Sequence, residues 1–367
     1  MSEPAPLQPI NRTYVRHQGR TLSFFGGCDY FRLSSHPRVL SAIREGLDEF
    51  GLNVAASRKT TGNHALYLKL EKELAKFFGT ESALLVNSGY VTSSVVAQAL
   101  AGQSSHALID ERAHVALQDA SLAFDCPVLK FKHRDPSSLA EAVKRCGIGA
   151  RVVVLTDGMF AHDGSVAPLR EYLKLLPRDA LLLVDDAHGA GTLGKTGKGA
   201  VELEGIRRAR VVQCVTLSKA FGVYGGAVIG PRKLRERMME KSRLFIGSTP
   251  LPLPLAAGAL AALDVMRRDK AMRRRLNTNS DRVKHALREA GLNLPDAPGP
   301  IIPLPPMNAK ESSRLQRALL AAKIFPSFLK YPGGPAEGYF RFVISSEHTR
   351  AQLDALVRGL CSHTASH

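Results

Sequence analysis

The stretch ARVVQCVTLSKAFGVYGG, residues 209–226, joins an apolar run, one lysine and a cluster of glycines. Its first half is short and rich in β-branched residues, which predicts a strand buried on both faces of a sheet. Lys219 follows that strand directly. A buried lysine is costly unless it is paired or used covalently. Lys219 is therefore a candidate structural cation, phosphate ligand or nucleophile.

Short apolar runs of the same kind recur upstream and alternate with helical patterns. They are SALLV (82–86), HALID (106–110), ARVVVLTDG (150–158) and ALLLVDDAH (180–188). Strands that alternate with helices predict an α/β fold with a mainly parallel sheet covered on both faces. A second region begins near STPLPLPLAAGALAAL and ends with the alternating strand YFRFVIS. We expect an N-terminal segment at 1–50, a large α/β domain at 51–245 and a smaller α+β domain at 246–367.

The composition is that of a soluble globular chain. The 367 residues are 44% hydrophobic and 23% charged, which is enough apolar material for a sizeable core. The sequence has no signal-peptide pattern and no apolar run long enough to span a bilayer. Five scattered cysteines without a C-x-x-C pair argue against a zinc site and a disulfide framework. We therefore expect a cytoplasmic protein.

The net charge of +17 raises the question of an anionic partner. Lysine and arginine are spread along the chain, and the one local run, MRRDKAMRRR (266–275), is typical of a solvated helix face. A nucleic-acid binder would cluster this charge in a recognisable module, so we do not expect one. An anionic small molecule or an acidic carrier protein explains the positive field equally well.

Two polar residues follow the predicted strand ALLLVD, at the end where ligands bind in parallel sheets. The simplest interpretation makes Asp185 a helix N-cap and His188 a hydrogen-bonded histidine. In the alternative, Asp185 pairs with the ring nitrogen of pyridoxal phosphate and keeps it protonated, so that the ring accepts electrons from a carbanion. That role requires a lysine after a later strand, and Lys219 occupies such a position.

Further polar residues lie near other strand ends. NSGY (87–90) follows a strand and opens a helix, so it is either an ordinary turn or a phosphate site made of backbone amides. The remaining candidates carry imidazole or hydroxyl groups: His114, Thr216, Ser218, Ser248 and Thr249.

The segment GAGTLGKT (189–196) matches the P-loop pattern for nucleotide binding. A P-loop follows its strand directly and opens a helix at its Lys-Thr pair. In this chain DDAH stands between strand and loop, and Gly197 and Gly199 disfavour a helix. A tight loop beside the site is therefore favoured over nucleotide binding.

In order and spacing, the motifs resemble those of the α-oxoamine synthases, which belong to the fold-type I enzymes that use pyridoxal phosphate. The matching stretches are NSGY, DERAH, DDAHGAGTLGKTGKG, TLSKAFGVYGG, FIGSTPLP and RFVISSEHT, and they span roughly residues 45–358. The resemblance implies a mainly parallel sheet of seven strands in the large domain, a smaller C-terminal α+β domain, and pyridoxal phosphate as the cofactor.

The resemblance also implies a role for each matching residue. Lys219 would form the Schiff base with the cofactor and later remove the Cα proton. Asp185 would pair with the pyridine nitrogen, His188 would bond the ring hydroxyl, and His114 would stack on the ring. The residues implied around the cofactor phosphate are Ser88, Gly89, Tyr90, Thr216 and Ser218, with Ser248 and Thr249 reaching the phosphate of the neighbouring subunit in a homodimer.

The chain departs from the family pattern at substrate-facing positions. In DGMFAHDG, Ala161 replaces a serine near the ring hydroxyl, and His162 adds a group without a family role. Lys330 in FLKYPGG replaces an arginine for the substrate carboxylate, so a point charge stands for a bidentate fork. Tyr67 replaces an early histidine.

The implied reaction joins an amino acid to an acyl thioester of CoA or acyl carrier protein, usually with decarboxylation. Within the family, the 8-amino-7-oxononanoate synthases of biotin biosynthesis are favoured. Serine palmitoyltransferase-like and 2-amino-3-ketobutyrate CoA ligase-like enzymes, or a fold-type I aminotransferase or aldolase, are the alternatives. Lys330, Arg58 and Asn53 are the candidates for substrate contact.

Overall fold

The computed structural model of the chain describes residues 6–330 and 334–364. In these ranges the strands are β1 (Gln8–Pro9), β2 (Tyr14–His17), β3 (Arg20–Ser23), β4 (Ser82–Val86), β5 (His106–Asp110), β6 (Val128–Phe131), β7 (Val152–Asp157), β8 (Leu181–Asp185), β9 (Val211–Thr216), β10 (Gly226–Gly230), β11 (Ile301–Pro303), β12 (Phe328–Leu329) and β13 (Tyr339–Val343). The α-helices are α1 (Pro37–Phe50), α2 (Ala65–Phe78), α3 (Thr92–Leu100), α4 (Val115–Leu122), α5 (Pro136–Arg145), α6 (Leu169–Leu175), α7 (Ala200–Leu203), α8 (Arg232–Lys241), α9 (Arg243–Ile246), α10 (Leu253–Arg268), α11 (Lys270–Glu289), α12 (Ala309–Ala321) and α13 (Arg350–Thr364). Among these helices, none combines the length and the apolar character that crossing a bilayer requires.

A seven-stranded sheet organises the larger of two compact units, unit 2, which comprises His36–Phe160 and Val166–Arg268. The strand order is β4-β10-β9-β8-β7-β5-β6, and β10 runs antiparallel to both of its neighbours. The remaining pairs are parallel. This arrangement confirms the predicted α/β fold with a mainly parallel sheet of seven strands.

Both faces of the central sheet are buried, because alternate residues of its middle strands enter different core clusters. In β7, Val153 and Leu155 pack in one cluster, whereas Val152 and Val154 pack in the other. The strands therefore consist of continuous apolar runs rather than alternating ones, as the sequence has them.

The remaining residues form unit 1, which comprises the chain up to Ser35, the segment Ala161–Ser165 and the chain from Asp269 onward. It contains the antiparallel sheets β1-β2-β3 and β11-β13-β12. Its core includes Phe25, Phe340 and Phe342.

This division differs from the domain boundaries predicted at residues 50/51 and 245/246. Helix α10 belongs to unit 2 because it packs along α1, where a Cβ on Gly46 would approach Ala257 Cβ to 2.9 Å. An ion pair of 2.6 Å between Arg38 and Asp264 joins the same two helices. The segment before α1 belongs to unit 1, where Ser23 N donates to the carbonyl of Lys323.

His348 is a buried imidazole of unit 1 that is held in one tautomer. Its Nδ1 accepts a hydrogen bond from Ser345 N at 3.0 Å, so Nε2 carries the proton and donates to the Phe24 carbonyl at 3.0 Å. Burial, helped by the positive charge of Arg32, lowers the pKa of His348 to about 3, although the bond to Phe24 opposes the shift. Below about pH 6.5, the ordinary pKa of histidine, the imidazole of His348 is therefore protonated in the unfolded chain but stays neutral in the folded chain.

We expect the free energy of unfolding to fall as the pH drops below about 6.5, and His348 to contribute nothing to this slope above that pH. The contribution amounts to at most about 1.4 kcal/mol per pH unit, hence about 2 kcal/mol between neutral pH and pH 5. Urea unfolding at both pH values measures it. His348→Gln keeps one acceptor and one donor without a titrating group, so it should lose this part of the slope. Equal slopes for both proteins would contradict the prediction.

Candidate active site

Two carboxylates lie side by side where the central strands end. Asp157 closes β7 and Asp185 closes β8, and the two are register partners in a parallel pair. Both are buried, with 4% and 6% of their surface exposed. Asp185 in turn pairs with Cys214, two residues before the end of β9 at Thr216. The sheet thus brings polar groups from three strands to one edge.

The structure brings Lys219 and His188 into direct contact. Lys219 Nζ lies 2.7 Å from His188 Nε2, and the lysine is half-buried. The loop that carries Lys219 is closed by two hydrogen bonds of 2.9 Å, from Leu217 N to the Gly225 carbonyl and from Val223 N to the Leu217 carbonyl. Gly225 has a φ of 107°, a conformation that favours glycine. A primary amine is therefore held at a defined place beside an imidazole.

His114 belongs electrostatically to the same group. Burial lowers its pKa, the charge of Asp185 opposes that shift, and the charge of Lys219 adds to it. Its Nδ1 accepts a hydrogen bond from Ala116 N, so the ring caps α4. Its backbone N–H donates to Asp157 Oδ2 at 2.9 Å. Asp157 is not among the site residues predicted from the sequence, although the strand VVVLTD ends on it.

The predicted phosphate residues lie together around the start of α3 and the end of β9. Ser88 Oγ accepts a hydrogen bond from Tyr90 N at 3.2 Å, and a Cβ on Gly89 would come within 2.5 Å of Thr216 Oγ1. Thr216 Oγ1 also accepts from the backbone of Ser218, whose own side chain is exposed. Glycine is therefore required where this turn passes Thr216, and the hydroxyls of both segments lie at one place.

Ser248 and Thr249 lie on the loop before α10. Together with Arg58 and Asn87 they line one small pocket within unit 2. Thr249 is exposed and Ser248 half-buried. Tyr67, which replaces the early histidine of the family pattern, is fully buried. Its hydroxyl donates a hydrogen bond of 2.6 Å to the Leu251 carbonyl and so holds the loop in place.

The three predicted substrate residues lie in different surroundings. Arg58 is 5% exposed and pairs with Glu71 at 2.5 Å, which Arg235 also contacts at 2.7 Å. Asn53 is exposed and accepts a hydrogen bond from Ala55 N, as in an Asx turn. Lys330 is exposed and belongs to unit 1, and the three residues after it lie outside the described ranges.

The other departures from the family pattern also lie in unit 1. The Ala161 carbonyl accepts a hydrogen bond of 2.6 Å from Arg341 Nη1. The ring of His162 lies 4.5 Å from the ring of Tyr339. Both residues contact the last strand of the unit, which sequence reasoning could not pair with them.

The P-loop match is a turn rather than a phosphate cradle. No helix begins at Lys195 or Thr196; α7 begins only at Ala200. The backbone N–H groups of Thr196 and Lys198 donate to the carboxylate of Glu202 at 2.9 and 3.0 Å. A carboxylate of the chain thus occupies donors that a nucleotide would need.

The polar groups gathered near Lys219 fit the chemical groups of pyridoxal phosphate. A buried carboxylate suits a protonated ring nitrogen, and an amine suits an aldehyde. Hydroxyls and backbone amides at a close glycine turn suit a phosphate. The fit rests on the 2.7 Å contact of Lys219 with His188 and on the close passage of Gly89 past Thr216.

Comparisons with known proteins show which family this chain belongs to. The family model for aminotransferase class I and II matches residues 26–360. An 8-amino-7-oxononanoate synthase from Thioalkalivibrio sulfidiphilus is 36% identical over 345 residues, which are 93% of this chain and 88% of the relative.

Two solved structures are similar in fold. A serine palmitoyltransferase from S. paucimobilis with a bound PLP–myriocin aldimine gives a TM-score of 0.91 at 24% identity, covering 98% of this chain and 91% of that one. An 8-amino-7-oxononanoate synthase from Francisella tularensis gives 0.81 at 26% identity, covering 94% of this chain and 98% of that one.

Proposed function

Because the chain belongs to the α-oxoamine synthase family, within the class I and II aminotransferases, we propose that it is a pyridoxal-phosphate acyltransferase. It joins an amino acid to an acyl thioester, and the activity best supported is that of an 8-amino-7-oxononanoate synthase. The observation that carries the proposal is the amine of Lys219 held 2.7 Å from His188, with the buried carboxylate of Asp185 near enough that the charges of Lys219 and Asp185 both act on His114.

The cofactor, when bound, supplies an electron sink for the charge that develops at the Cα of the amino acid. Asp185 would hold the ring nitrogen, His188 the ring hydroxyl and His114 the ring face. Ser88, Gly89, Tyr90, Thr216 and Ser218 would hold the phosphate. Lys219 would hold the cofactor through Nζ, and the same atom, when free, would remove the Cα proton of the amino acid.

His188 is placed to exchange a proton with that amine. Nε2 of His188 and Nζ of Lys219 lie 2.7 Å apart, so one hydrogen bond joins them whichever of the two nitrogens carries the shared proton. Packing alone does not fix the half-buried side chain of Lys219. The hydrogen bond to His188 therefore helps to orient it at the edge of the sheet. A positioned base of this kind contributes about 10²- to 10⁴-fold to the rate.

The active unit is proposed to be a homodimer in which Ser248 and Thr249 reach the neighbouring subunit's cofactor phosphate. Their place on the loop before α10, with Thr249 exposed, supports that role. The acyl donor is proposed to be a thioester of CoA or of acyl carrier protein, since the net charge of +17 suits an anionic donor. A cytoplasmic location is part of the same proposal.

Incubation with acyl-CoA thioesters of graded length should release free thiol only when an amino acid is added. We expect alanine to support the fastest release, with serine and glycine tested beside it. A thiol-reactive dye measures the release, and mass spectrometry identifies the amino ketone. Conversion of the amino acid to an oxo acid without thiol release would instead favour an aminotransferase.

A further inference from the structure

Asp157 is a buried titratable group to which the mechanism gives no role. It lies at the end of β7, next to Asp185 in the same register, and 4% of its surface is exposed. Register partners on adjacent parallel strands project to the same face of the sheet. Two carboxylates are thus placed side by side in a site that excludes water, where carrying both negative charges is costly.

Asp157 also has a contact that leads to the cofactor site. Its Oδ2 accepts the backbone N–H of His114 at 2.9 Å. His114 is the last residue before α4, and its own ring is fixed by the hydrogen bond from Ala116 N at 3.2 Å. The ring of His114 is thus bonded to α4 and its backbone to Asp157. Because Asp157 ends β7, the orientation of His114 depends on that strand.

The charged groups around Asp157 come from every neighbouring element. Burial raises the pKa of Asp157 well above its usual range, and the charges of Asp185 on β8 and Asp110 on β5 raise it further. The N–H of His114 and the charge of Lys219 lower it. On balance, the pKa of Asp157 is raised.

From these contacts, and resting on the proposed function, we propose that Asp157 is a positioning residue, which anchors His114 through Oδ2 and leaves the single negative charge of the two strand ends to Asp185. The charge at Asp185 is then available for a cationic ring nitrogen. Asp157 itself touches no reacting atom and acts through His114.

The first test uses the protein without added cofactor and compares urea unfolding of wild type and Asp157→Asn. An acid whose pKa is raised on folding gives stability at low pH that is lost as the pH rises toward the folded pKa. We therefore expect the ratio of wild-type to variant folding constants to fall up to tenfold per pH unit above about pH 4. A ratio that stays constant above pH 5 would mean an ionised Asp157 and overturn the proposal.

The second test measures the dissociation constant of pyridoxal phosphate by the absorption of the bound cofactor. Asp157→Asn keeps an oxygen for the His114 N–H, so binding should stay within about threefold of wild type, whereas Asp157→Ala should weaken it about tenfold. An asparagine variant as weak as the alanine variant would contradict the anchoring role.

A double-mutant cycle separates positioning from a general loss of structure. In a His114→Ala background, Asp157→Ala should change the dissociation constant less than about twofold, because the residue through which it acts is gone. The same tenfold loss in both backgrounds would overturn the proposal. The unfolding test needs no cofactor, so it distinguishes failure of this proposal from failure of the proposed function.

Discussion

Replacing Lys219 by alanine is expected to abolish both the visible absorption due to a Schiff base between Lys219 and the cofactor and the amino-acid-dependent release of thiol. The residue supplies two things, the amine that bonds the cofactor and the base that removes the Cα proton. Alanine also removes the partner of His188 Nε2 at 2.7 Å. We expect a fall in kcat/KM of at least about 10⁴-fold, measured by the thiol assay with alanine as the amino acid.

The matched control is Lys195→Ala, in the segment that resembles a P-loop. Lys195 is exposed, and the loop around it is held by Glu202 rather than by a ligand. That variant should keep the activity and the absorption of wild type. If Lys195→Ala lost the ability to bind ATP and Lys219→Ala left the visible absorption unchanged, the interpretation of residues 189–196 as a nucleotide-binding P-loop would be supported instead.

Small primary amines add a positive test of the same role. Methylamine in solution provides the missing nitrogen, so it should partly restore thiol release to Lys219→Ala in proportion to its concentration. Lys219→Arg keeps a positive charge but offers no nitrogen that can bond the cofactor, and it should remain inactive. Activity in the arginine variant would mean that charge alone is needed at this position.

The sheet could be predicted because each central strand is buried on both faces and therefore appears as a continuous apolar run. In LLLVD the apolar run ends directly before Asp185, and in VVVLTD only Thr156 separates the run from Asp157. The units could not be delimited in this way. The position of α10 depends on its contacts with α1, and the residues before α1 depend on hydrogen bonds such as Ser23 with Lys323.

The same distinction separates the candidate site residues that the sequence indicates from those that it does not. Lys219, Asp185 and His188 lie within short motifs whose spacing already indicates their chemistry. Asp157 acquires a role only through His114, which is 43 positions away. Arg58 was a candidate for substrate contact, and its ion pair with the buried Glu71 could not be inferred from the sequence alone.

Replacing Asp185 by asparagine is expected to lower kcat about 10²- to 10³-fold while the cofactor remains bound. An amide has nearly the shape of the carboxylate and can still accept the hydrogen bond that Ala187 N donates to Asp185 Oδ1 at 3.0 Å. It has no charge with which to hold a protonated ring nitrogen, so the cofactor loses most of its strength as an electron sink. The thiol assay gives kcat, and the absorption of the bound cofactor reports its retention.

Asp186→Asn is the matched control for that experiment, one residue along the chain. Burial raises the pKa of Asp186 to about 7, although hydrogen bonds from Gln213 and Ala200 oppose the shift. The side chain is therefore already partly protonated near neutral pH, and it accepts hydrogen bonds from Ala200 N and Gln213 Nε2. Asparagine at this position should change kcat less than about threefold, because no charge that faces the cofactor is lost. If both variants lost activity equally, the effect would come from the packing of the strand end, and the charge of Asp185 would not be the group that sustains catalysis.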